Sequence, residues 1–148
     1  MKPIEECFPN VNGNYNGAHS YSDLIKSMDV EALLIHELGE YQGSSWCLLR
    51  RHVKNDIQYG FLVFGWGSCS GCDALETCGS YQELDSLRNQ LFNSIRWDTA
   101  AGLAKYFINK DWKTEVGGTE NGADEFLPKA LSLILTVDEL KSLDVLSA

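Results

Sequence analysis

Two runs of apolar and aromatic residues, Trp46 to Val53 and Tyr59 to Trp66, stand only five residues apart across Lys54-Asn55-Asp56-Ile57-Gln58. Runs of this composition read as strands, and so short a connection makes them an antiparallel hairpin. The rest of the chain has to be built around that hairpin. Upstream, Val30 to Tyr41 is ambiguous between helix and strand, but Leu33 to Ile35 and the closing Gly39-Glu40-Tyr41-Gln42-Gly43 favour a strand running into a turn. A three-stranded antiparallel meander over about residues 31–66 is the simplest assembly.

Downstream the periodicity becomes helical. Ser80-Tyr81-Gln82-Glu83 is a capping box, and Leu84, Leu87, Leu91 and Ile95 follow at helical spacing, which predicts a helix over 81–95. Leu103, Ala104, Phe107 and Ile108 mark a second helix, and Leu127, Leu131, Ile134 and Leu135 a third that begins near Asp124. A last helix is expected after Thr136, with Glu139 as its capping partner and Val137, Leu140 and Leu143 on its inner face. The three glycines between Glu115 and Ala123 predict a flexible loop there. Before the sheet, Ser20 and Asp23 can cap a short helix carrying Tyr21, Leu24, Ile25 and Met28. Residues 1–18, with Pro3, Pro9, Gly13, Gly17 and four Asn, read as an irregular lead segment. The expected fold is therefore a single α+β domain over residues 1–148, a small antiparallel meander of about three strands packed against the helices that follow it.

With 148 residues, 44% hydrophobic and 22% charged, the chain can bury a core without a metal or disulfide. Its longest apolar stretches, Phe61 to Phe64 and Leu133 to Leu135, fall far short of a membrane span. Glu5 and Glu6 stand where a signal peptide carries its apolar region, so a cytoplasmic location with reduced thiols is expected. Twenty-one acids against twelve bases give a net charge of −9, which disfavours direct nucleic-acid binding; the clustered bases are Arg50, Arg51 and Lys54. The same charge suits either simple solubility or docking onto a basic groove of another protein, in imitation of nucleic-acid phosphates. Asp111, Glu115, Glu120, Asp124 and Glu125 crowd around the Gly-rich loop and are the candidate acids for such docking.

Cys7, Cys47, Cys69, Cys72 and Cys78 are odd in number, which argues against a fully paired disulfide framework, and three of them fall within ten residues. The segment around them leaves a strand, passes Gly65, Gly67 and Gly71, and enters what looks like a short helix. Cys69 and Cys72 have the C-x-x-C spacing of a zinc site, with Cys78 as a third ligand and Cys47, His36 or His52 as a fourth, although no second pair completes a common zinc module. A C-x-x-C at a helix start also suits thiol redox chemistry, yet no strand-helix-strand unit precedes it. Gly65-Trp66-Gly67 with Gly71 resembles a phosphate-binding turn but departs from the dinucleotide fingerprint. Against these stands plain packing: glycines for a tight turn, cysteines as small hydrophobes, and Ser70 with Asp73 as a helix cap. Trp66 beside its glycines is either a core residue or an exposed anchor for recognition. His19, His36 and His52 lie on separate segments and form no ligand pair, although His36 or His52 meeting Cys69 or Cys72 would make a nucleophile and base. Glu37 and Glu40 share a face only if their segment is helical.

The segment Tyr59-Gly60-Phe61-Leu62-Val63-Phe64-Gly65-Trp66-Gly67-Ser68-Cys69-Ser70-Gly71-Cys72-Asp73-Ala74-Leu75, preceded by Glu40-Tyr41-Gln42-Gly43, looks like a family of small uncharacterised proteins from phages and bacterial mobile elements. The likeness covers about residues 37–98. It implies a setting rather than a reaction: small acidic proteins that bind and block a host enzyme, including nucleic-acid-mimicking inhibitors of defence nucleases of the anti-CRISPR kind. The expected function is a non-enzymatic inhibitor that meets a host protein through acids and an aromatic anchor at Trp66. The alternative is a zinc or thiol protein using Cys69, Cys72 and Cys78.

Overall fold

In a computed structural model of the chain, which describes residues 1–39, 42–67, 73–112 and 120–135, the hairpin is the centre of the molecule. Strands β2 (Gly43–Val53) and β3 (Asp56–Trp66) pair antiparallel along their whole length, from Gly43 opposite Trp66 to Val53 opposite Asp56. The connection is a two-residue turn, Lys54-Asn55, not the five-residue loop expected from composition. Asp56, Ile57 and Gln58 are polar or exposed because the hairpin tip extends past the helices, yet their backbone still pairs.

β1 (Glu31–Leu38) lines the other edge of β2, resolving the helix-or-strand ambiguity in favour of a strand. A fourth strand, β4 (Arg96–Asp98), pairs with β3 and completes an antiparallel sheet in the order β1-β2-β3-β4. Three strands were expected; the fourth is short and carries no alternating pattern. Gly60 makes room for it, since a Cβ at that position would sit 2.8 Å from the Trp97 ring.

Helices cover both faces of the sheet, including helices that precede it. α1 (Ile4–Cys7), α2 (Tyr21–Lys26) and α3 (Tyr81–Asn93) pack on one face against Cys47, Leu49 and Leu62. α4 (Ala100–Asn109) and α5 (Glu120–Ile134) pack on the other against Trp46, Leu48 and Phe61. Successive β2 residues thus feed opposite cores, and Trp46, Cys47, Leu48 and Leu49 are all fully buried. On the second face the Trp46 ring meets Phe61, Trp112 and Phe126 at centroid distances of 5.5 to 5.9 Å, and its Nε1 donates to Ser44 Oγ at 3.2 Å. α5 starts at Glu120, before the expected Asp124, so Gly122 is helical rather than part of a loop. The missing side chain is what lets the helix approach: a Cβ on Gly122 would stand 2.6 Å from Leu38 and 2.7 Å from Trp46 Nε1. Residues 113–119 and the helix expected after Thr136 lie outside the described residues.

The lead segment is more structured than its composition predicts. Ile4, 3% exposed, enters the first core from α1, and Val11 bridges Asn14. α3 holds this segment through two side chains. Tyr81 donates its hydroxyl to Phe8 O, and buried Arg88 donates Nη2 to Lys2 O at 2.9 Å and Nη1 to Ser27 O at 3.2 Å. The expected caps form: Ser20 Oγ accepts from Asp23 N and Ser80 Oγ from Glu83 N, each at 3.2 Å. No helix among the described residues is long and apolar enough to cross a membrane.

Candidate functional site

The cysteine segment begins where β3 ends. Trp66 is half-buried, packs over Gly43 and donates Nε1 to Ser45 Oγ at 3.1 Å. Residues 68–72, with Cys69 and Cys72, lie outside the described residues, but both of their flanks are held by one carboxylate. Asp73 is 4% exposed. Its Oδ1 accepts from Gly67 N at 3.0 Å and from Tyr21 Oη at 2.9 Å, and its Oδ2 accepts from Leu75 N and Glu76 N at 3.1 Å each. Thr77 N then donates to Asp73 O at 3.0 Å, closing a single turn over 74–77. Ser70, the other half of the expected cap, lies outside the described residues; Asp73 caps the amides that follow it, and the segment over 74–77 is one turn.

This geometry bears on each chemical reading of the segment. The Gly67 amide, which a phosphate-binding turn would offer to its ligand, is already given to the Asp73 carboxylate. Thiol activation by a helix dipole needs a helix after Cys72, whereas the next helix begins at Tyr81. Cys78 donates Sγ to Ala74 O at 3.3 Å, and burial, with Glu83 and Asp73 nearby, pushes its thiol above the ordinary range. A thiol held protonated is a weak nucleophile and must lose that proton before binding a metal. Among the described residues no three His, Cys, Asp or Glu side chains converge as a metal site.

Tyr21 ties the site to the first core. Its ring packs on Phe64 at 4.9 Å between centroids, and its hydroxyl accepts from Leu75 N at 3.1 Å while donating to Asp73. Burial and the Asp73 carboxylate push its phenol up to about 12. Cys47 lies deeper in the same core, where burial and then Glu37 push its thiol up to about 12 from 9.0. A raised value means that the folded chain keeps a proton which the unfolded chain releases. The resulting stabilisation is complete below pH 9 and is lost as the pH rises toward 12. Urea unfolding should accordingly show a midpoint that falls between about pH 8 and about pH 10.5, and by less in Cys47→Ala. Equal falls in the two proteins would refute the assignment to Cys47.

The candidate docking residues separate. Trp66 lies on the face covered by α1, α2 and α3, whereas Asp124 and Glu125 are exposed on α5, across the sheet. Glu125 Oε2 stands 2.9 Å from Nε2 of His36 on β1, without the geometry of a hydrogen bond. Asp111 is exposed just beyond α4, Glu115 lies outside the described residues, and Glu120 opens α5. His19 and His52 are exposed on other segments, and Glu37 is exposed on β1.

Sequence reasoning passed over a second concentration of acid. Residues 1–30 and 73–95, which build the first layer, hold eight acids and three bases, against five and four over 96–112 and 120–135. Of those eight, Glu5, Glu6, Asp23, Asp29, Glu76 and Glu83 are exposed, and none is ion-paired among the described residues. The signal was present in Glu5-Glu6 and Asp23, but only the fold brings them onto one layer with α3. Comparisons with protein-family models, with curated proteins and with solved structures give no match.

Proposed function

We propose that this protein is a non-enzymatic interaction module that docks its acidic α1, α2 and α3 layer onto a basic groove of a partner protein, as a phage or mobile-element inhibitor of a host enzyme would. The observation that carries this reading is the six exposed acids of that layer, which have no ion-pair partner among the described residues, with Trp66 on the same face of the sheet. Like charges held on one layer repel each other in the free protein and gain most when a cationic surface covers them. Trp66, whose indole nitrogen is already satisfied by Ser45, can give up its exposed edge to a partner without losing a hydrogen bond.

The test begins with the partner recovered from host cells at low salt, followed by affinity measurements on the purified pair. Affinity should fall as salt rises. It should also fall about tenfold in Glu5→Gln/Glu6→Gln/Asp23→Asn/Asp29→Asn, since each exposed pair is worth roughly 0.2–1 kcal/mol. Cys69→Ser and Cys72→Ser should bind as the parent does. Salt-independent binding would overturn the reading, and loss of binding in a folded Cys69→Ser variant would move the function to the cysteine segment.

A further inference from the structure

A basic groove lies on the opposite side of the sheet from the acidic layer. Gly102, Lys105, Tyr106 and Asn109 follow one another on α4 at helical spacing, on the stripe away from buried Leu103, Ala104 and Phe107, and Lys110 follows as the residue that ends the helix. Together with Arg96 of β4 they line an open groove of about 400 Å³. The Arg96 guanidinium stacks 4.0 Å from the centre of the Tyr106 ring, and Lys110 Nζ donates to Tyr106 Oη at 2.6 Å. One aromatic ring thus fixes two cations at the groove, and Lys105 stands exposed beside them.

We propose that this groove is a binding site for a phosphate group, either free or carried as a small monoester. In a chain of net charge −9, three cations line one concave surface, and neither Arg96 nor Lys105 has an ion-pair partner among the described residues. A tetrahedral dianion matches this set: the planar guanidinium offers paired donors, the ammonium groups offer point charges, and the Asn109 amide adds a neutral donor. The nearby acids set its position. Asp98 packs against Gly102, where a Cβ would lie 2.2 Å from Oδ1, and so closes that end to anions; Asp111 follows Lys110 in the chain. The phosphate belongs toward Lys105, Asn109 and Arg96. The groove has the volume of a small-molecule site, and the net negative field of the chain works against a long polyanion such as DNA or RNA.

The experiment is a titration of backbone amide NMR signals of the full chain with inorganic phosphate, with adenosine 5′-monophosphate and with adenosine. Saturable shifts centred on Arg96, Lys105 and Asn109 are expected with both phosphates and not with adenosine. Lys105→Gln and Arg96→Gln should each weaken binding about tenfold, the value of one lost charge-assisted hydrogen bond, with the melting temperature showing that each variant folds. Equal affinities for the two phosphates assign free phosphate as the ligand, and tighter binding of the nucleotide assigns a monoester. Shifts that do not saturate by about 10 mM, that spread over the whole surface or that persist unchanged in Lys105→Gln would overturn the proposal. A response to adenosine equal to that of the nucleotide would also overturn it.

Discussion

Arg88→Met is expected to destabilise the fold by about 3–5 kcal/mol, more than any surface substitution in the chain. The guanidinium is 3% exposed, and its Nη atoms serve Lys2 O, Ser27 O and Asp85 Oδ1. Methionine fills a similar volume, so the loss is one of donors rather than packing. The carbonyls of Lys2 and Ser27, on separate segments, would lose their charged donor, and each such bond is worth roughly 1.5–3 kcal/mol. Asp85 is 43% exposed on its side chain and can return to water, so it contributes little to the loss. Urea denaturation followed by circular dichroism measures the effect. Arg88→Lys should recover part of it at most, because one ammonium cannot reproduce the fork that spans Lys2 and Ser27. A cost below about 1 kcal/mol for the methionine variant would show that the N-terminal segment is held by Ile4 and Tyr81 instead.

The second large effect falls on Asp73. Asp73→Ala removes the acceptor for the Tyr21 hydroxyl and for the amides of Gly67, Leu75 and Glu76, with an expected cost of about 3 kcal/mol. Asp73→Asn is the sharper experiment. Its single oxygen can keep one pair of donors, but its NH₂ must then face the other pair, so it should recover little of the loss. Hydrogen exchange should quicken more at Gly67, Leu75 and Glu76 than across α4, which touches a different core. Uniform quickening over the whole chain would mean that Asp73 supports global stability and has no special hold on the base of the cysteine segment.

Where local chemistry decides a structure, the residues announced it. Ser20 and Ser80 cap as their spacing requires, and Leu84, Leu87 and Leu91 face the core as their period predicts. The hairpin followed from two apolar runs. Where distant contacts decide, single residues were uninformative. Ile4 is one apolar residue among polar neighbours, and nothing near it reveals that Arg88 waits for Lys2 O. β4 is set by the bare surface of Gly60 rather than by the pattern of Arg96-Trp97-Asp98. One signal was present and misread: Trp46 to Leu49 are apolar without alternation, which marks a strand covered on both sides. Taking it so would have placed helices on both faces. At the candidate site Asp73 read as an ordinary cap, because only tertiary structure brings Tyr21 and Gly67 to it. The acidic layer escaped notice for the same reason, its acids being spread over two separate stretches of chain.

The bonds from α3 to the lead segment span 86 positions for Arg88 to Lys2 and 73 for Tyr81 to Phe8. A ribosome adding about 5–20 residues each second therefore makes Ile4 roughly 4–17 s, and Leu24, Ile25 and Met28 roughly 3–13 s, before Arg88 of the helix that locks them in place exists. Through that interval these apolar groups have no finished core to enter, while β2 and β3 can pair as soon as both emerge. Closing the first layer thus requires the chain to reach back from α3 to its start, and until α3 is made the outer acids of that layer keep nascent copies apart.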